Sequence, residues 1–392
     1  MTILQLKKGK EKSIERKHPW IFSGAIGQIK GQPEEGDTVR LENHEGRFIA
    51  MGHYQKSSLA LRILSFEEVA IDAAFWHHKL SAAIHTRQIC GLSQRADTNV
   101  YRLVHGEGDG LPGLILDYYN GLVVMQCHSV GMYNARQIIA DALVKILGDK
   151  VHSIYDKSEG TIPFKADTTA ENGFLYGQTD NSEVIEYGHR FLIEPVDGQK
   201  TGFFIDQREN RKLLQQYVKD KKVLNTFCYS GGFSVFALEA GAAHVTSVDS
   251  SAKAIALVDK NIELNFGKTD KHLSVGNDVG AFLTNDTEKY DVIILDPPAY
   301  AKHNNALDNA LKGYARLNKK GFEALNKGGI LFTFSCSQVV TKDDFRRAVF
   351  TAAAQSGKTV KILHQLHQPE DHPISIYHPE GEYLKGLVLY VE

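Results

Sequence analysis

The feature that most constrains the fold is a regular alternation of strand-like and helix-like segments after residue 206. Such alternation is typical of βαβ units and predicts a parallel, doubly wound sheet. In sheets of this kind, ligands bind beyond the carboxyl ends of the strands. The predicted strands cover residues 222–225, 243–249, 273–276, 291–296, 329–335, 360–365 and 384–391, with helices over 232–240 and 252–265 among them.

The preceding sequence divides into two further blocks. Residues 1–70 contain short apolar runs separated by turns, which predicts a small β-barrel or sandwich. Residues 71–190 contain a helix-like stretch over 72–90, a polar linker, several strands and a helix over 132–147, which indicates a small α/β domain. We therefore predict domains at 1–70, 71–190 and 191–392.

The charge balance argues for local rather than global contact with polyanions. The 392 residues have a formal net charge of −2, so the chain lacks the overall basic signature of many nucleic-acid-binding proteins. Residues 1–33, however, carry seven lysines and arginines against two glutamates. Basic residues beside an aromatic ring can hold a phosphate backbone and stack a base. The candidates are Lys7, Lys8, Arg16 and Trp20, with a solvated face beside core aromatics as the alternative.

The cysteines and the apolar runs indicate a cytoplasmic protein. Four cysteines are scattered along the chain and none forms a CxxC pair, which favours a reducing compartment. No apolar run approaches the length of a membrane span, and the first residues lack the apolar core of a signal peptide. We expect no membrane contact. The oligomeric state stays open, with a homodimer among the options.

The first three predicted strands of the sheet carry a candidate cofactor site. Gly231 and Gly232 follow the first strand without completing GxGxxG, so a dinucleotide is disfavoured. Asp249 ends the second strand, where a carboxylate can accept hydrogen bonds from two ribose hydroxyls. Its alternative role, capping the next helix, belongs more naturally to Ser250 or Ser251. Since Asn277-Asp278 could meet an adenine edge, an adenosine ligand without pyrophosphate is expected, and S-adenosylmethionine is the candidate.

The fourth and fifth predicted strands carry a candidate catalytic pair. Asp296-Pro-Pro ends one strand and Cys336 follows the other, so neighbouring strands would bring both residues to one crevice. A thiolate that adds to C6 of cytosine makes C5 nucleophilic enough to accept a methyl group. Asp296 could hold the edge of the base. The alternative for Cys336 is a buried core residue.

Two other functions stay open from the residues alone, and a third is disfavoured. Asp296-Pro-Pro followed by Tyr300 could serve methylation of a purine nitrogen, which needs no thiol. The chain could also be an RNA-binding assembly factor with a vestigial pocket. A metal enzyme is disfavoured because His364, His367, His372 and His378 match no ligand spacing, and we expect these histidines at the surface or facing RNA.

A second basic stretch follows Asp296-Pro-Pro. It contains Lys302, Lys312, Arg316, Lys319 and Lys320, with Asp308 as its acidic residue. A target base must leave any stack to reach Cys336, and Tyr300 or Phe203 could then stack on it. We expect RNA binding that weakens steeply with salt.

Several segments, in order along the chain, resemble the bacterial 23S ribosomal RNA large-subunit (cytosine-5) methyltransferases with an N-terminal PUA domain. The segments that carry the resemblance are residues 18–25, 102–113, 200–208, 225–233, 296–298, 334–337 and 379–386. The resemblance implies a PUA domain, a small central α/β domain and a class I methyltransferase domain of Rossmann-like architecture. It also implies S-adenosylmethionine as cofactor, 23S ribosomal RNA as partner and Cys336 as nucleophile.

The resemblance further implies roles for individual residues. The segment from Lys200 to Arg208, which includes Phe203 and Phe204, would close over cofactor and substrate. The residues that would line the cofactor pocket are Asn225, Tyr229, Gly231, Asp249, Asn277, Asp278 and Asp296. The related guanine-N7 enzymes lack the cysteine of Phe-Ser-Cys-Ser, so Cys336 is the discriminating residue.

Overall fold

The computed structural model describes residues 2–163, 169–178 and 183–392. The chain forms two compact units. The first contains Met1–Val184, Glu194–Phe203 and Glu370–Gly381, and the second contains Ile185–Ile193, Phe204–Pro369 and Glu382–Glu392. The predicted domain at 1–70 and residues 71–184 of the predicted domain at 71–190 fall within the first unit, and two later segments of the chain join them there. The domain boundaries proposed from the sequence stay predictions.

The first unit begins with a six-stranded sheet. Its strands are β1 (Ile3–Leu6), β2 (Trp20–Phe22), β3 (Ile26–Lys30), β4 (Thr38–Glu42), β5 (Phe48–Tyr54) and β6 (Leu59–Ser65), with a short helix α1 (Lys12–Glu15). They lie in the order β2-β6-β5-β4-β1-β3. All neighbours are antiparallel except β1 and β4. Alternate side chains such as Val39 and Leu41 are fully buried, as expected for a sheet with one apolar face.

A five-stranded sheet with three helices follows. The strands are β7 (Val100–His105), β8 (Leu114–Tyr119), β9 (Leu122–Cys127), β10 (Ser153–Asp156) and β11 (Gly173–Tyr176), and the helices are α2 (Ala73–Ile89), α3 (Val130–Asn134) and α4 (Arg136–Leu147). The strand order is β11-β10-β9-β8-β7. Asp72 caps α2 by accepting the backbone N–H groups of Ala74 and Phe75. The single helix predicted over 132–147 is two helices, because the chain turns at Ala135.

A buried ion network holds residues 370–381 within the first unit. Arg87, with no exposed surface, donates to both oxygens of Asp109 and, at 2.8 Å, to the carbonyl of Asp371. The backbone N–H of Arg102 donates to Asp371 Oδ2 at 2.9 Å, and its guanidinium donates to Asp117. A buried charge is tolerated only when paired and hydrogen-bonded, so these contacts fix the partners to one another.

The segment Glu194–Phe203 is held in the same unit. Thr201 donates to Asp117 Oδ2 at 2.6 Å and accepts from Tyr119 at 2.9 Å. Lys157 Nζ donates to the carbonyls of Pro195 and Gly198. Polar contacts of buried side chains thus fasten this loop.

The second unit is built on a seven-stranded sheet. Its strands are β14 (Lys222–Thr226), β15 (His244–Asp249), β16 (His272–Gly276), β17 (Tyr290–Leu295), β18 (Leu325–Ser335), β19 (Val360–His367) and β20 (Lys385–Val391). The helices are α5 (Arg208–Leu214), α6 (Gly232–Glu239), α7 (Ala252–Phe266), α8 (Val279–Asn285), α9 (Leu307–Ala324) and α10 (Lys342–Ser356). Residues 185–192 of a hairpin formed by β12 (Glu183–Glu186) and β13 (His189–Leu192) also belong to this unit. Asn261 on α7 accepts the N–H of Leu192.

The strand order confirms the doubly wound fold and corrects one detail. The order is β16-β15-β14-β17-β18-β20-β19, and the first five strands are parallel. The sequence predicted a wholly parallel sheet, whereas β20 is antiparallel to both of its neighbours. The chain reaches β20 from β19 without a crossover helix, which an antiparallel pair permits and a parallel pair does not. The strand order reverses between β14 and β17, where such sheets form their ligand crevice.

Apolar layers cover both faces of this sheet. Tyr314 and Phe322 from α9 and Phe345 from α10 belong to one cluster of buried side chains, and Phe233 and Ala237 from α6 belong to another. Leu295 and Phe334, at the ends of β17 and β18, are fully buried. The polar residues that follow these strands are thus held in place by a buried, rigid sheet. Within the described residues, no helix is both long and apolar enough to cross a membrane.

Candidate active site

Two loops leave the sheet side by side at the point where the strand order reverses. Thr226, the last residue of β14, pairs with Leu295, the last residue of β17. The first loop contains three residues in the left-handed region, Phe227 (φ 54°), Tyr229 (φ 45°) and Gly231 (φ 78°). Left-handed conformations of bulky residues cost free energy and cluster at functional sites. The loop leads directly into α6, as expected for a ligand loop at a helix N-terminus.

Asp249 lies at the end of β15 and fastens this loop. Its Oδ2 accepts the N–H of Tyr229 at 3.1 Å, and its Oδ1 accepts the N–H of Ser251 at 2.9 Å. Ser251 itself caps α7 by accepting from Ala254, which confirms the expectation that a serine has this role. An ionised carboxylate has about four lone-pair sites. Asp249 therefore keeps acceptor capacity for a ligand.

The end of β16 is open to solvent. Asn277 and Asp278 are exposed, and the N–H of Asn277 donates to the carbonyl of Asp249 at 3.0 Å. Asp278 also caps α8 by accepting from Ala281 at 2.8 Å. A Cβ added to Gly276 would meet nothing within 4 Å. The structure thus brings Tyr229, Asp249 and Asn277 together around one exposed edge.

Asn225 lies beneath that loop rather than in it. Its side chain is 1% exposed, and its Nδ2 donates to Ser234 Oγ at 2.8 Å. Ser234 shares a hydrogen bond with Ser247, which in turn contacts His272. Asn225 Oδ1 is buried and has no partner among the described residues. The side chain therefore supports the base of the loop and leaves one acceptor unsatisfied.

The residues before α5 contact the Asp296 side of the crevice. Gln207 Nε2 donates to Asp296 Oδ2 at 3.0 Å, and Gln207 Oε1 accepts from Asn210 Nδ2 at 2.6 Å. Phe204, half-buried, meets the ring of Tyr229 edge-on at 4.9 Å. Arg208 has no exposed surface, and its guanidinium donates to Glu209 at 3.0 Å. Phe204 thus lies beside the cofactor loop, whereas Arg208 is enclosed by the protein.

Cys336 follows β18 and is held between two anchored serines. Ser335 donates to the hydroxyl of Tyr314 at 2.9 Å, and Ser337 donates to the carbonyl of Ala301 at 2.5 Å. Both serines are fully buried, whereas Cys336 is half-buried. None of the four cysteines, all of which lie in the described part of the chain, forms a disulfide. Burial raises the pKa of Cys127 to about 12 and also raises the pKa of Cys228, which disfavours the nucleophilic thiolate at both.

Tyr300 and α9 flank the Asp296 loop. The Tyr300 ring packs 4.6 Å from that of Tyr314, and burial raises the pKa of Tyr300 to about 12. A Cβ on Gly313 would lie 3.0 Å from this ring, so glycine there makes room for it. Lys302, Lys312 and Arg316 are exposed along this part of the unit. Lys320 instead donates to the carbonyl of Gly280 at 2.6 Å.

The basic residues of the N-terminal sheet are exposed, but Trp20 is engaged. Lys7, Lys8 and Arg16 are all exposed. Trp20 is half-buried, donates from its indole N–H to Glu107 at 2.8 Å, and contacts the ring of His378 at 4.4 Å. The three basic side chains are thus exposed to solvent, whereas the indole ring of Trp20 packs within the protein.

Two predicted substrate contacts lie in the loop Glu194–Phe203. Lys200 is exposed and has a positive φ of 49°, whereas Phe203 is 3% exposed. Stacking of a base on Phe203 would require this loop to open. The role of Phe203 stays a prediction.

The expectation of surface histidines is wrong for two of the four. His372 and His378 are 1% and 2% exposed, because His372 pairs with Asp371 at 2.9 Å and His378 packs on Trp20. His18, His378 and Glu380 have ligand-capable atoms within 4.8 Å of one another. Since His378 and Trp20 pack ring against ring, we interpret this group as a packing contact within the first unit.

Sequence analysis missed three residues of this site. Tyr314 supports Ser335, Gln207 contacts Asp296, and Lys385 Nζ donates to the carbonyls of Ser337 and Val340. Gln207 and Lys385 lie in two of the segments that carry the family resemblance, and that was the available signal. Tyr314 had none, because a helical tyrosine is ordinarily a packing residue.

Comparisons with known proteins place the chain in a family. A family profile described as a PUA-like domain matches residues 4–66, and one described as an S-adenosylmethionine-dependent methyltransferase matches residues 102–380. Fold and site thus define a methyltransferase whose cofactor is S-adenosylmethionine. Ribosomal RNA large subunit methyltransferase I of Klebsiella pneumoniae is 38% identical, over 99% of this chain and 98% of the relative. The protein of that name from Aeromonas hydrophila is 39% identical, over 98% of each chain. The chain belongs to the ribosomal RNA large subunit methyltransferase I family.

Solved structures support the fold. A protein described as an S-adenosylmethionine-dependent methyltransferase from Streptococcus mutans has a TM-score of 0.85 at 23% identity, with 100% of both chains covered. A methyltransferase complexed with SAH has a TM-score of 0.86 at 24% identity, also with 100% of both chains covered.

The residues of this chain fit the cofactor. Asp249 keeps acceptor capacity for ribose hydroxyls, the end of β16 is open for an adenine ring, and Asn225 offers an unsatisfied buried acceptor. The tight turn at Gly231 brings backbone rather than side chain to the crevice, since a Cβ there would lie 3.1 Å from Val258. A sulfonium-bearing adenosine needs no pyrophosphate site, and the loop lacks the glycine pattern for one.

Proposed function

We propose that this protein transfers the methyl group of S-adenosylmethionine to C5 of a cytosine in large-subunit (23S) ribosomal RNA, with Cys336 as the covalent nucleophile. The observation that carries the proposal is that Cys336, which is half-buried, and Asp296 leave the sheet at adjacent strand ends. The two residues follow neighbouring parallel strands, β18 and β17. The hydrogen bond from Ser337 to Ala301 joins the two loops.

The chemistry assigns one step to the thiol and one to the carboxylate. The Cys336 thiolate adds to C6 of cytosine, and the electron pair of the C5–C6 double bond moves toward N3. C5 then takes the methyl group from the sulfonium, whose electron pair stays on sulfur. A base removes the C5 proton, the double bond re-forms, and the thiolate leaves. Asp296 would hold the N3/N4 edge of the base and assist protonation at N3.

The cofactor roles follow from the strand ends. Asp249 would accept from the ribose hydroxyls, and Asn277 and Asp278 would face the adenine. The loop with Tyr229 and Gly231, resting on Asn225, would line the remainder of the pocket beside Phe204. Arg208, being enclosed, would act by fixing the segment that precedes α5.

Two basic surfaces support RNA as the substrate. Lys302, Lys312 and Arg316 lie on and before α9, next to the Asp296 loop. The other surface comprises Lys7, Lys8 and Arg16 in the first unit, and Lys200 adds a further exposed charge there. Charged side chains of this kind hold a phosphate backbone without reading its sequence. The names of the relatives support ribosomal RNA of the large subunit as the class.

The test is nucleoside mass spectrometry after incubation with S-adenosylmethionine and ribosomal RNA from cells that lack the gene. We expect 5-methylcytidine from the wild type and none from Cys336→Ala, while Cys90→Ser, a matched change at another partly buried thiol, keeps the activity. A methylated purine, or activity that survives Cys336→Ala, would instead favour a thiol-independent enzyme acting on a purine nitrogen. Binding of RNA without binding of S-adenosylmethionine would favour an assembly factor.

A trapping experiment reports on the adduct itself. RNA that contains 5-fluorocytosine has no C5 proton to remove, so the enzyme should stay bonded to C6 after methyl transfer. We expect a protein–RNA band that survives denaturation, and peptide mapping should assign the bond to Cys336. A bond at another residue, or none, would contradict the proposed nucleophile.

A further inference from the structure

Lys385 is a buried lysine beside the candidate nucleophile. It is the first residue of β20 and pairs with Ser335 of β18, the residue before Cys336. It is 5% exposed. Its Nζ donates to the carbonyls of Ser337 and Val340, each at 2.6 Å. The residues on both sides of Cys336 thus contact Lys385, through the strand pairing on one side and the ammonium on the other.

The ammonium keeps one donor and has no close carboxylate. An ammonium has three N–H donors, and the two carbonyls take two of them. Among the described residues, no carboxylate oxygen lies within 4 Å of Lys385 Nζ. Lysine is almost never fully buried unless paired. A nearby negative charge is therefore needed to favour the ammonium, and the thiolate of Cys336 can supply it.

The electrostatics agree with this geometry. Burial lowers the pKa of Lys385 from its ordinary value to about 8, and the strongest opposing influence is the negative charge of Cys336. Glu382 and Asp344 also favour the ammonium, whereas Lys342 disfavours it. On the other side of the thiol, the charge of Cys336 contributes to the raised pKa of Tyr314. Because a charge–charge interaction is mutual, the ammonium favours the thiolate as the thiolate favours the ammonium.

We propose that Lys385 is the positioning residue that holds Cys336 as a thiolate and fixes the loop that carries it. This inference rests on the proposed function, in which Cys336 is the nucleophile. An ordinary cysteine, with a pKa near 8.5, is only a few per cent thiolate at pH 7, and a neighbouring lysine increases that fraction. The two carbonyl contacts orient the loop, and the remaining charge acts on the sulfur. The nucleophile is thus already a thiolate before the substrate arrives.

The experiment measures the rate of iodoacetamide alkylation of Cys336 between pH 5 and 10, with peptide mass spectrometry to resolve this cysteine from the others. We expect the wild-type thiol to titrate at least one pH unit below 8.5. In Lys385→Met the midpoint should move upward, so that alkylation at pH 7 slows about tenfold while the rate at pH 10 is kept. Lys385→Arg keeps the charge and should keep most of the thiolate.

Controls separate charge from folding. Lys342→Met removes an exposed lysine near the same loop, and the profile of Cys336 should not change. Calorimetric binding of S-adenosylmethionine reports whether each Lys385 variant is folded. If Lys385→Met does not fold, the alkylation profiles of the wild type and of Lys385→Arg still test the proposal. A wild-type midpoint at or above 8.5, or an unchanged midpoint in a folded Lys385→Met, would overturn the proposal.

The alkylation experiment can fail or succeed independently of the proposed function. The alkylation profile reports the ionisation of Cys336 whether or not the thiol is used in catalysis. If Cys336→Ala keeps methylating cytosine while Lys385→Met still shifts the profile, then the proposed nucleophile is wrong and the lysine–thiolate pair stands. If Cys336→Ala is inactive and the profile does not shift, the nucleophile stands and the role of Lys385 fails.

Discussion

Ser337 donates a hydrogen bond from its hydroxyl to the main-chain carbonyl of Ala301 at 2.5 Å. Ser337 is the residue after Cys336, and Ala301 is the fifth residue after Asp296. This contact joins the loop that carries the candidate nucleophile to the loop that carries the candidate base-binding carboxylate. Both partners are buried, with Ser337 fully so and Ala301 3% exposed. The two loops are thus joined by a hydrogen bond that neither Cys336 nor Asp296 makes.

We expect Ser337→Ala to slow methyl transfer with little change in cofactor affinity. Loss of the hydrogen bond should cost about 1 kcal/mol of stability and lower kcat at least about tenfold, because small misplacements of reacting groups are costly. The measurement is kcat for 5-methylcytidine formation, with calorimetry of S-adenosylmethionine binding. Thr351→Ala, which removes an exposed hydroxyl from α10, is the control and should leave kcat unchanged. Equal rates for the two variants would show that the loop contact is dispensable.

Asp249→Ala should weaken binding of S-adenosylmethionine. The carboxylate holds the N–H of Tyr229, and in the proposed function its remaining lone pairs would accept from the ribose. We expect Kd to rise at least about tenfold, equivalent to about 1.4 kcal/mol, as measured by calorimetry. Asp259→Asn on α7 changes an exposed carboxylate that bonds to Ser274 at the next strand, and it should leave Kd unaltered. If the Kd values of the two variants are the same, the carboxylate does not bind the cofactor.

The basic face of α9 should govern the salt dependence of RNA binding. We expect the double variant Lys312→Ala/Arg316→Ala to bind RNA more weakly and to flatten the plot of log K against log salt. Each lost phosphate contact should reduce the slope by about 0.7 to 0.9. The control, Lys253→Ala/Lys260→Ala, removes two exposed charges from α7 and should keep the slope. Identical slopes for the two double variants would mean that α9 does not contact the phosphate backbone.

Acid should destabilise the protein between pH 6.5 and pH 4 through a buried histidine. Burial lowers the pKa of His53 to about 4, below its ordinary value of 6.5. The unfolded chain therefore binds a proton in this range that the folded chain does not, and stability falls as the pH falls. One such histidine contributes on the order of 2 kcal/mol at pH 5.

The measurement is the melting temperature at pH 7.5 and pH 5. The drop on acidification should shrink in His53→Gln and stay in His77→Gln, which changes an exposed histidine of α2. A drop that is the same in both variants would assign acid sensitivity to other groups.

The sequence predicted the part of the site that depends on strand order. Asp296 and Cys336 follow apolar runs that are long enough to be recognised as neighbouring strands, and the ends of parallel strands meet at one edge. For the same reason the sequence predicted that Asp249 and Asn277 share a site. The sequence also predicted that a serine caps α7, because a serine at that position can accept a backbone N–H of the first helical turn that has no partner within the helix.

The sequence could not predict contacts that join distant segments. Lys385 reaches Ser337 only because β20 lies antiparallel beside β18, and the strand pattern alone contains no sign of that direction. The burial of His372 depends on Asp371 and on the membership of Glu370–Gly381 in the first unit. Local periodicity in the sequence cannot show that a short segment near the end of the chain, such as Glu370–Gly381, belongs to the unit formed by its beginning.

That membership has a consequence for how the protein is made. Asp371, whose carbonyl accepts from Arg87 at 2.8 Å, follows it by 284 residues. At about 5–20 residues per second, a ribosome adds Asp371 about 15 to 60 s after Arg87. During that time the nascent first unit holds a buried guanidinium that lacks one of its acceptors. Because β14 to β19 all precede Asp371 in the chain, this contact within the first unit can form only after most strands of the second unit have been synthesised.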